Sequence, residues 1–174
     1  LQLHRSGLIE LPPVWQVNSS NGKRKKPEPV SIDQLPIEAT FSELKPFHFE
    51  QVRRSPAEKL FNSLIQEHHY LGYTQPVGEH LKYMVYAQDR PIACVAWSSA
   101  ARHLGARDRF IGWPAEARRR NIRFIAYNPR YLILPWVKVP HLASHILGVL
   151  ARRLSKDWEQ LYKHPIYFLE TSID

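Results

Sequence analysis

Asp108 stands between Arg107 and Arg109, and Glu170 is the acidic residue of an otherwise apolar run from Pro165 to Ile173, with Asp174 at its end. Flanking guanidinium groups keep Asp108 ionised. Residues four apart in a strand share a face, so Glu170 and Asp174 can converge. Joined by Asp108, they would make a divalent-cation site suited to phosphodiester chemistry. The competing use of Asp108 is a structural ion-pair network with its arginine neighbours. His68 and His69 precede Tyr70-Leu71-Gly72 at a predicted helix end. Adjacent helical positions diverge by about 100°, so the two rings do not share one metal. His69 is the candidate base, with capping or packing as its alternative role.

A second chemistry is electrostatic. Arg102, Arg107, Arg109, Arg118, Arg119, Arg120, Arg123 and Arg130 place eight guanidinium groups between residues 102 and 130, against the two acids Asp108 and Glu116. Guanidinium binds phosphate bidentately and releases condensed counterions, so such a cluster suits a polyanion. On a short helix Arg118, Arg119 and Arg120 fan over most of the circumference, which turns at least one toward a partner. Trp97, Trp113, Tyr127 and Tyr131 interleave with or flank the arginines, as a surface that stacks bases and grips phosphates requires. Their competing role is ordinary strand core.

Composition bounds these readings. The chain has 174 residues, 44% hydrophobic and 23% charged, enough for one core and too little for two full domains. Its net charge is +8, and residues 101–174 carry thirteen Lys/Arg against six Asp/Glu, so the excess lies in the C-terminal part. Excess charge of this kind also serves solubility. No apolar run reaches the roughly 18 to 20 residues of a spanning helix, so no membrane role is expected. A single cysteine, Cys94, forms no internal disulfide, and a reducing cytoplasmic setting is expected. Walker, Gly-x-Gly-x-x-Gly, His-Glu-x-x-His and Gly-x-Ser-x-Gly motifs are missing.

The elements that would position these groups follow from pattern. Residues 1–13 read as the remnant of an upstream helical segment, and 14–36, with Lys23-Arg24-Lys25-Lys26, as a linker. A mixed α/β domain occupies 37–174, with sequence missing at its C-terminal end. Ser55-Pro56-Ala57-Glu58 starts a helix, with Glu58 reaching back to the cap amide and Gly72 ending it. Residues 81–87 and 91–97 form a hairpin around Gln88-Asp89-Arg90. Residues 98–113 are a loop or short helix, and 114–121 make two helical turns. Strands follow at 122–127 and 131–137, joined by Asn128-Pro129-Arg130 as a tight turn. A helix at 142–154, a separate short helix at 157–162 and a strand at 165–173 complete a mixed α/β sheet. Its last βαβ unit places two parallel strands side by side.

Several stretches together resemble a bacterial family, the DruA-like proteins of the Druantia anti-phage system. They are His69-Tyr70-Leu71-Gly72-Tyr73, Arg107-Asp108-Arg109-Phe110-Ile111-Gly112-Trp113, 128–137 from Asn128 to Val137, Leu142-Ala143-Ser144-His145, Asp157-Trp158 and Leu169-Glu170-Thr171-Ser172-Ile173-Asp174. The likeness covers about residues 55–174. It implies a setting in phage defence or beside mobile elements such as transposases, with DNA rather than RNA as partner and other proteins of such systems alongside. The order of elements is also similar to a Gcn5-related N-acetyltransferase core, which implies acyl-CoA held by a glycine-containing loop at a helix start. Here that loop reads Lys138-Val139-Pro140-His141-Leu142-Ala143-Ser144, without glycine and with one amide donor removed by Pro140.

The expectation is therefore a DNA-associated defence or mobile-element protein that binds nucleic acid through the arginine-rich 102–130 region. Asp108, Glu170, Asp174 and His69 are its candidates for phosphodiester chemistry with a divalent cation. The alternatives are an acyl-CoA-dependent N-acyltransferase and a non-catalytic scaffold of a defence complex.

Overall fold

Gln88 and Asp89 both take left-handed backbone angles, φ 49° and 63°, and close a two-residue turn between β3 (His80–Ala87) and β4 (Arg90–Ser99). Two consecutive left-handed residues match the twist of the strands they join. This computed structural model describes residues 6–7 and 26–171, and the reading of 1–13 as a helical remnant falls almost wholly outside them. From the linker reading, 26–36 are described. They form no helix or strand, but Val30 N–H donates to Ser63 Oγ (2.9 Å) and Asp33 pairs with Arg90 (3.2 Å), so this stretch lies on the domain.

The hairpin is the middle of a five-stranded sheet ordered β2-β3-β4-β5-β7, with β2 at Phe47–Gln51, β5 at Ile125–Ile133 and β7 at Phe168–Thr171. All neighbours are antiparallel except β5 and β7, which run parallel with Tyr127 opposite Glu170. The mixed α/β sheet and the parallel pairing across the last βαβ unit are as the sequence indicates. A two-residue strand β1 (Ile37–Glu38) pairs with β6 (Val137–Lys138) outside this sheet.

Helices cover both faces. Helix α1 (Glu58–His68) lies over one, where Lys82 Nζ donates to Glu58 Oε1 (2.7 Å) and Asn62 Oδ1 (2.8 Å). On the other lies α4 (Leu142–Tyr162), where Tyr83 O–H donates to Asp157 Oδ2 (2.8 Å). Double coverage is why β3 and β4 are buried almost end to end rather than on alternate residues. The α4 stripe is a ridge of every fourth residue, Leu142, Ile146, Leu150, Leu154 and Trp158, each at most 1% exposed. Burial of each stabilises the fold by about 1.5–3 kcal/mol.

Five expectations are corrected. The strands read at 122–127 and 131–137 are one strand, β5, preceded by a 3-10 turn at Ile122–Phe124. Asn128-Pro129-Arg130 is therefore not a turn. It sits inside β5, where the register against β4 slips between Ala96 and Ser98. Proline has no N–H for the ladder, so the strand bulges there. Asn128 Nδ2 donates to Ala96 O (2.6 Å) in place of a backbone group. The helices read at 142–154 and 157–162 are one 21-residue helix, since nothing between Leu154 and Trp158 interrupts the ridge. Helix α1 ends at His68 rather than Gly72, whose N–H instead bonds His69 O (2.7 Å) with the glycine at φ 58°. Glu58 accepts not from the cap amide but from Arg54 N–H (2.6 Å) and from Lys82.

Candidate functional site

Between β4 and β5 the chain leaves the sheet as two short helices, α2 (Gly105–Ile111) and α3 (Ala115–Asn121). Gly112, at φ 69°, ends α2 with its N–H on Asp108 O (3.0 Å), and Pro114 starts the next segment. The sequence predicts a loop or short helix here followed by two helical turns, and α2 and α3 are those elements.

Asp108 ties the excursion together. Its Oδ1 accepts from Arg107 Nη2 (3.1 Å), Arg107 Nε (3.2 Å) and Trp113 Nε1 (3.1 Å), and its Oδ2 from Arg118 Nη1 and Leu104 N–H (each 3.3 Å). Arg107, only 5% exposed, also donates Nη1 to Glu170 Oε1 (3.3 Å) on β7 and Nη2 to Ala101 O (2.8 Å). One buried guanidinium thus links the excursion to the edge strand of the sheet. Burial pushes the Asp108 carboxyl up, but the hydrogen bonds from Trp113, Arg107 and Leu104 and the Arg107 charge outweigh it and hold it below the ordinary 3.8. Glu170 goes the other way. Burial, with the Asp108 charge adding to it, lifts it above 4.5 against the pull of Arg107, and its Oε2 has no hydrogen-bond partner among the described residues.

The two acids therefore share Arg107, as the structural reading of Asp108 has it. Asp174 lies outside the described residues. Among the described residues no three His, Cys, Asp or Glu side chains come together to hold a metal, and a divalent cation does not fit a pair of carboxylates already bound to guanidinium. No hydrogen bond or ion pair joins His69 to Asp108 or Glu170. Its Nδ1 accepts from Leu71 N–H (3.2 Å), its ring stacks on Tyr70, and burial together with the nearby Arg130 charge lowers its pKa below 6.5.

The eight arginines divide. Arg107 and Arg118 are bound by Asp108, Arg120 pairs with Glu116 (2.8 Å), and Arg130 donates to Gly72 O (2.8 Å) and Pro129 O (2.6 Å). Arg102, Arg109, Arg119 and Arg123 are exposed and take part in no ion pair among the described residues. The aromatics divide as well. Trp97 is core at 1% exposure, Trp113 serves Asp108, and Tyr131 O–H donates to Ala143 O. The exposed ring on the excursion is Phe110, at 82%. Sequence reasoning missed it, although an aromatic next to Arg109 on a seven-residue helix with one buried residue was the signal.

Sequence reasoning also missed a buried cation. Lys82 is 0% exposed, and its ammonium donates to Glu58, Asn62 and Tyr73 Oη (3.0 Å), which uses all three protons. A lysine within Leu81-Lys82-Tyr83-Met84-Val85 was the signal, once both sheet faces are known to be covered.

The loop before α4 does not suit acyl-CoA pyrophosphate. Pro140 offers no N–H, Leu142 N–H turns back to Val139 O (3.4 Å), and His141 sits at φ 61° with no side-chain cap.

No helix among the described residues is long and apolar enough to cross a membrane. Comparison with curated proteins and with solved structures finds no match to this chain. The family model described as Druantia protein DruA matches residues 2–173, and that match takes in the Asp108–Arg107–Glu170 link, the arginine-bearing excursion and the bulged strand together, so the chain belongs to the DruA family.

Proposed function

We propose that this chain is a component of a Druantia anti-phage system that grips DNA through the α2–α3 excursion, in the reducing cytoplasm where the buried thiol of Cys94 stays unpaired. The observation that carries the reading is the division of the arginines. Arg107 and Arg118 are spent on anchoring the excursion through Asp108, while Arg102, Arg109, Arg119 and Arg123 are exposed on the same segment and take part in no ion pair among the described residues, Arg123 resting over the Phe124 ring. A surface evolved only for solubility has no need of a buried anchor beneath it. Phe110 adds an exposed ring against which an unpaired base stacks.

The same geometry favours binding over strand cleavage. Asp108 and Glu170 hold a guanidinium, and His69 stands by Arg130 instead of beside them. The proposal is tested by measuring DNA binding by the wild type and by a variant carrying Arg102→Ala, Arg109→Ala, Arg119→Ala and Arg123→Ala. Loss of binding with an unchanged circular dichroism spectrum supports it. Equal affinity of the two proteins overturns it.

A further inference from the structure

A cavity of about 390 Å³ lies on the α1 face of the sheet, within the range of roughly 300–1,000 Å³ that small-ligand sites occupy. Its walls are mostly apolar, from Phe61 and Ile65 on α1, Pro129 on β5 and the segment from Tyr73 to Val77. That segment is bracketed by Gly72 (φ 58°) and Gly78 (φ 82°), which allow it to arch over the sheet.

Besides Thr74 and Gln75 on the covering segment, the sheet itself puts Lys82, Ser98 and Arg130 into this lining. Lys82 is already satisfied by Glu58, Asn62 and Tyr73, so its charge is answered within the protein. Ser98 is different. It is 5% exposed, it lines the cavity, and its Oγ has no hydrogen-bond partner among the described residues. Leaving a buried hydroxyl without a partner is costly, and a ligand's polar edge would recover that cost. Arg130, also in the lining, has its guanidinium held by two backbone carbonyls and takes part in no ion pair among the described residues. Its positive charge calls for an anion from outside. A hydrocarbon chain would leave both Ser98 and Arg130 unanswered. A planar heterocycle bearing a phosphate answers both, and Tyr73 and Tyr127 give it aromatic walls.

The cavity also adjoins the proposed nucleic-acid surface. Ser98 is opposite Tyr127 across β4 and β5, and Tyr127 is opposite Glu170 across β5 and β7, so all three share one sheet face in one row. Glu170 is the residue that Arg107 clamps beneath the arginine-bearing excursion.

We infer that this cavity is a nucleotide site, which takes one unstacked base of a bound strand between Tyr73 and Tyr127 with Ser98 at its polar edge and Arg130 on its phosphate. The choice of a strand as the source rests on the proposed DNA-binding function. The cavity's chemistry does not, because a free nucleoside monophosphate carries the same groups.

The test uses Thr74→Trp, which fills the mouth from an exposed lining position and leaves the core untouched. Binding of a fluorescein-labelled single strand is compared with that of an abasic strand of equal length. The wild type should prefer the strand with bases by about tenfold or more, tenfold being the effect of one stacked base. Thr74→Trp should cut that preference about tenfold, to what stacking on Phe110 leaves, while keeping salt-dependent binding. The Arg109→Ala, Arg119→Ala variant should weaken both strands alike and retain the preference. Equal wild-type affinity for the two strands, or an undiminished preference in Thr74→Trp, overturns the inference. If the wild type binds neither strand, the DNA-binding reading fails separately, and equilibrium dialysis with deoxynucleoside monophosphates decides the cavity. Uptake that Thr74→Trp abolishes supports it, and no uptake overturns it.

Discussion

Arg107 Nη1 lies 3.3 Å from Glu170 Oε1 across 63 residues of sequence, while the same guanidinium holds the neighbouring Asp108. This contact fixes a two-helix excursion to the edge strand of the sheet. Two of the acids that the sequence offers for catalysis, Asp108 and Glu170, are thereby the two ends of an anchor.

Removing the anchor should therefore be felt as stability. Arg107→Met leaves Glu170 largely buried without its cation, and breaking such a pair costs about 3–5 kcal/mol. Urea unfolding should show a lower midpoint at an unchanged slope. Adding Glu170→Leu should recover a substantial part of the loss, since the uncompensated charge is then gone.

The two acids should give stability opposite pH dependences. Glu170 is raised above its ordinary 4.5, so its contribution is full below that value and is lost as pH rises through its folded pKa. Asp108 is lowered below 3.8, so its contribution is full above that value and is lost as pH falls through its folded pKa. In unfolding followed against pH, Glu170→Gln should remove the decline that sets in above 4.5, and Asp108→Asn the decline that sets in below 3.8.

Asn128→Ala should expose the cost of the bulge in β5. Its side-chain amide donates to Ala96 O at a site with 9% exposure, where the register slips and the adjoining Pro129 has no N–H to give. The expected loss is about 1–3 kcal/mol, the penalty of an unsatisfied buried acceptor. Hydrogen exchange should quicken in β4 and β5 first, while α4 stays protected.

How far the sequence led depends on the range of the interaction. The β3–β4 hairpin and the parallel pairing of β5 with β7 were readable, because alternation, turn residues and the apolar stripe of α4 are local signals. The Asn128-Pro129-Arg130 reading failed because a proline in a strand looks like punctuation until a side chain 32 residues from its acceptor is seen to replace the missing bond. Asp108 was legible as a paired acid from its arginine neighbours. That Glu170 joins it through Arg107 was not, because only the fold brings β7 beside α2. Lys82 was hidden for a similar reason, since a lysine in a strand reads as solvent-facing until a helix is known to cover that face.

The central claim is that exposed arginines on the excursion neutralise phosphates, and the salt dependence of DNA affinity tests it most directly. The logarithm of the association constant should fall linearly with the logarithm of salt concentration, and Arg109→Ala, Arg119→Ala and Arg123→Ala should each lower the slope by about one. Arg120→Ala, whose side chain pairs with Glu116, should change it less. A flat salt response in the wild type, or a slope unmoved in the triple variant, would contradict the account.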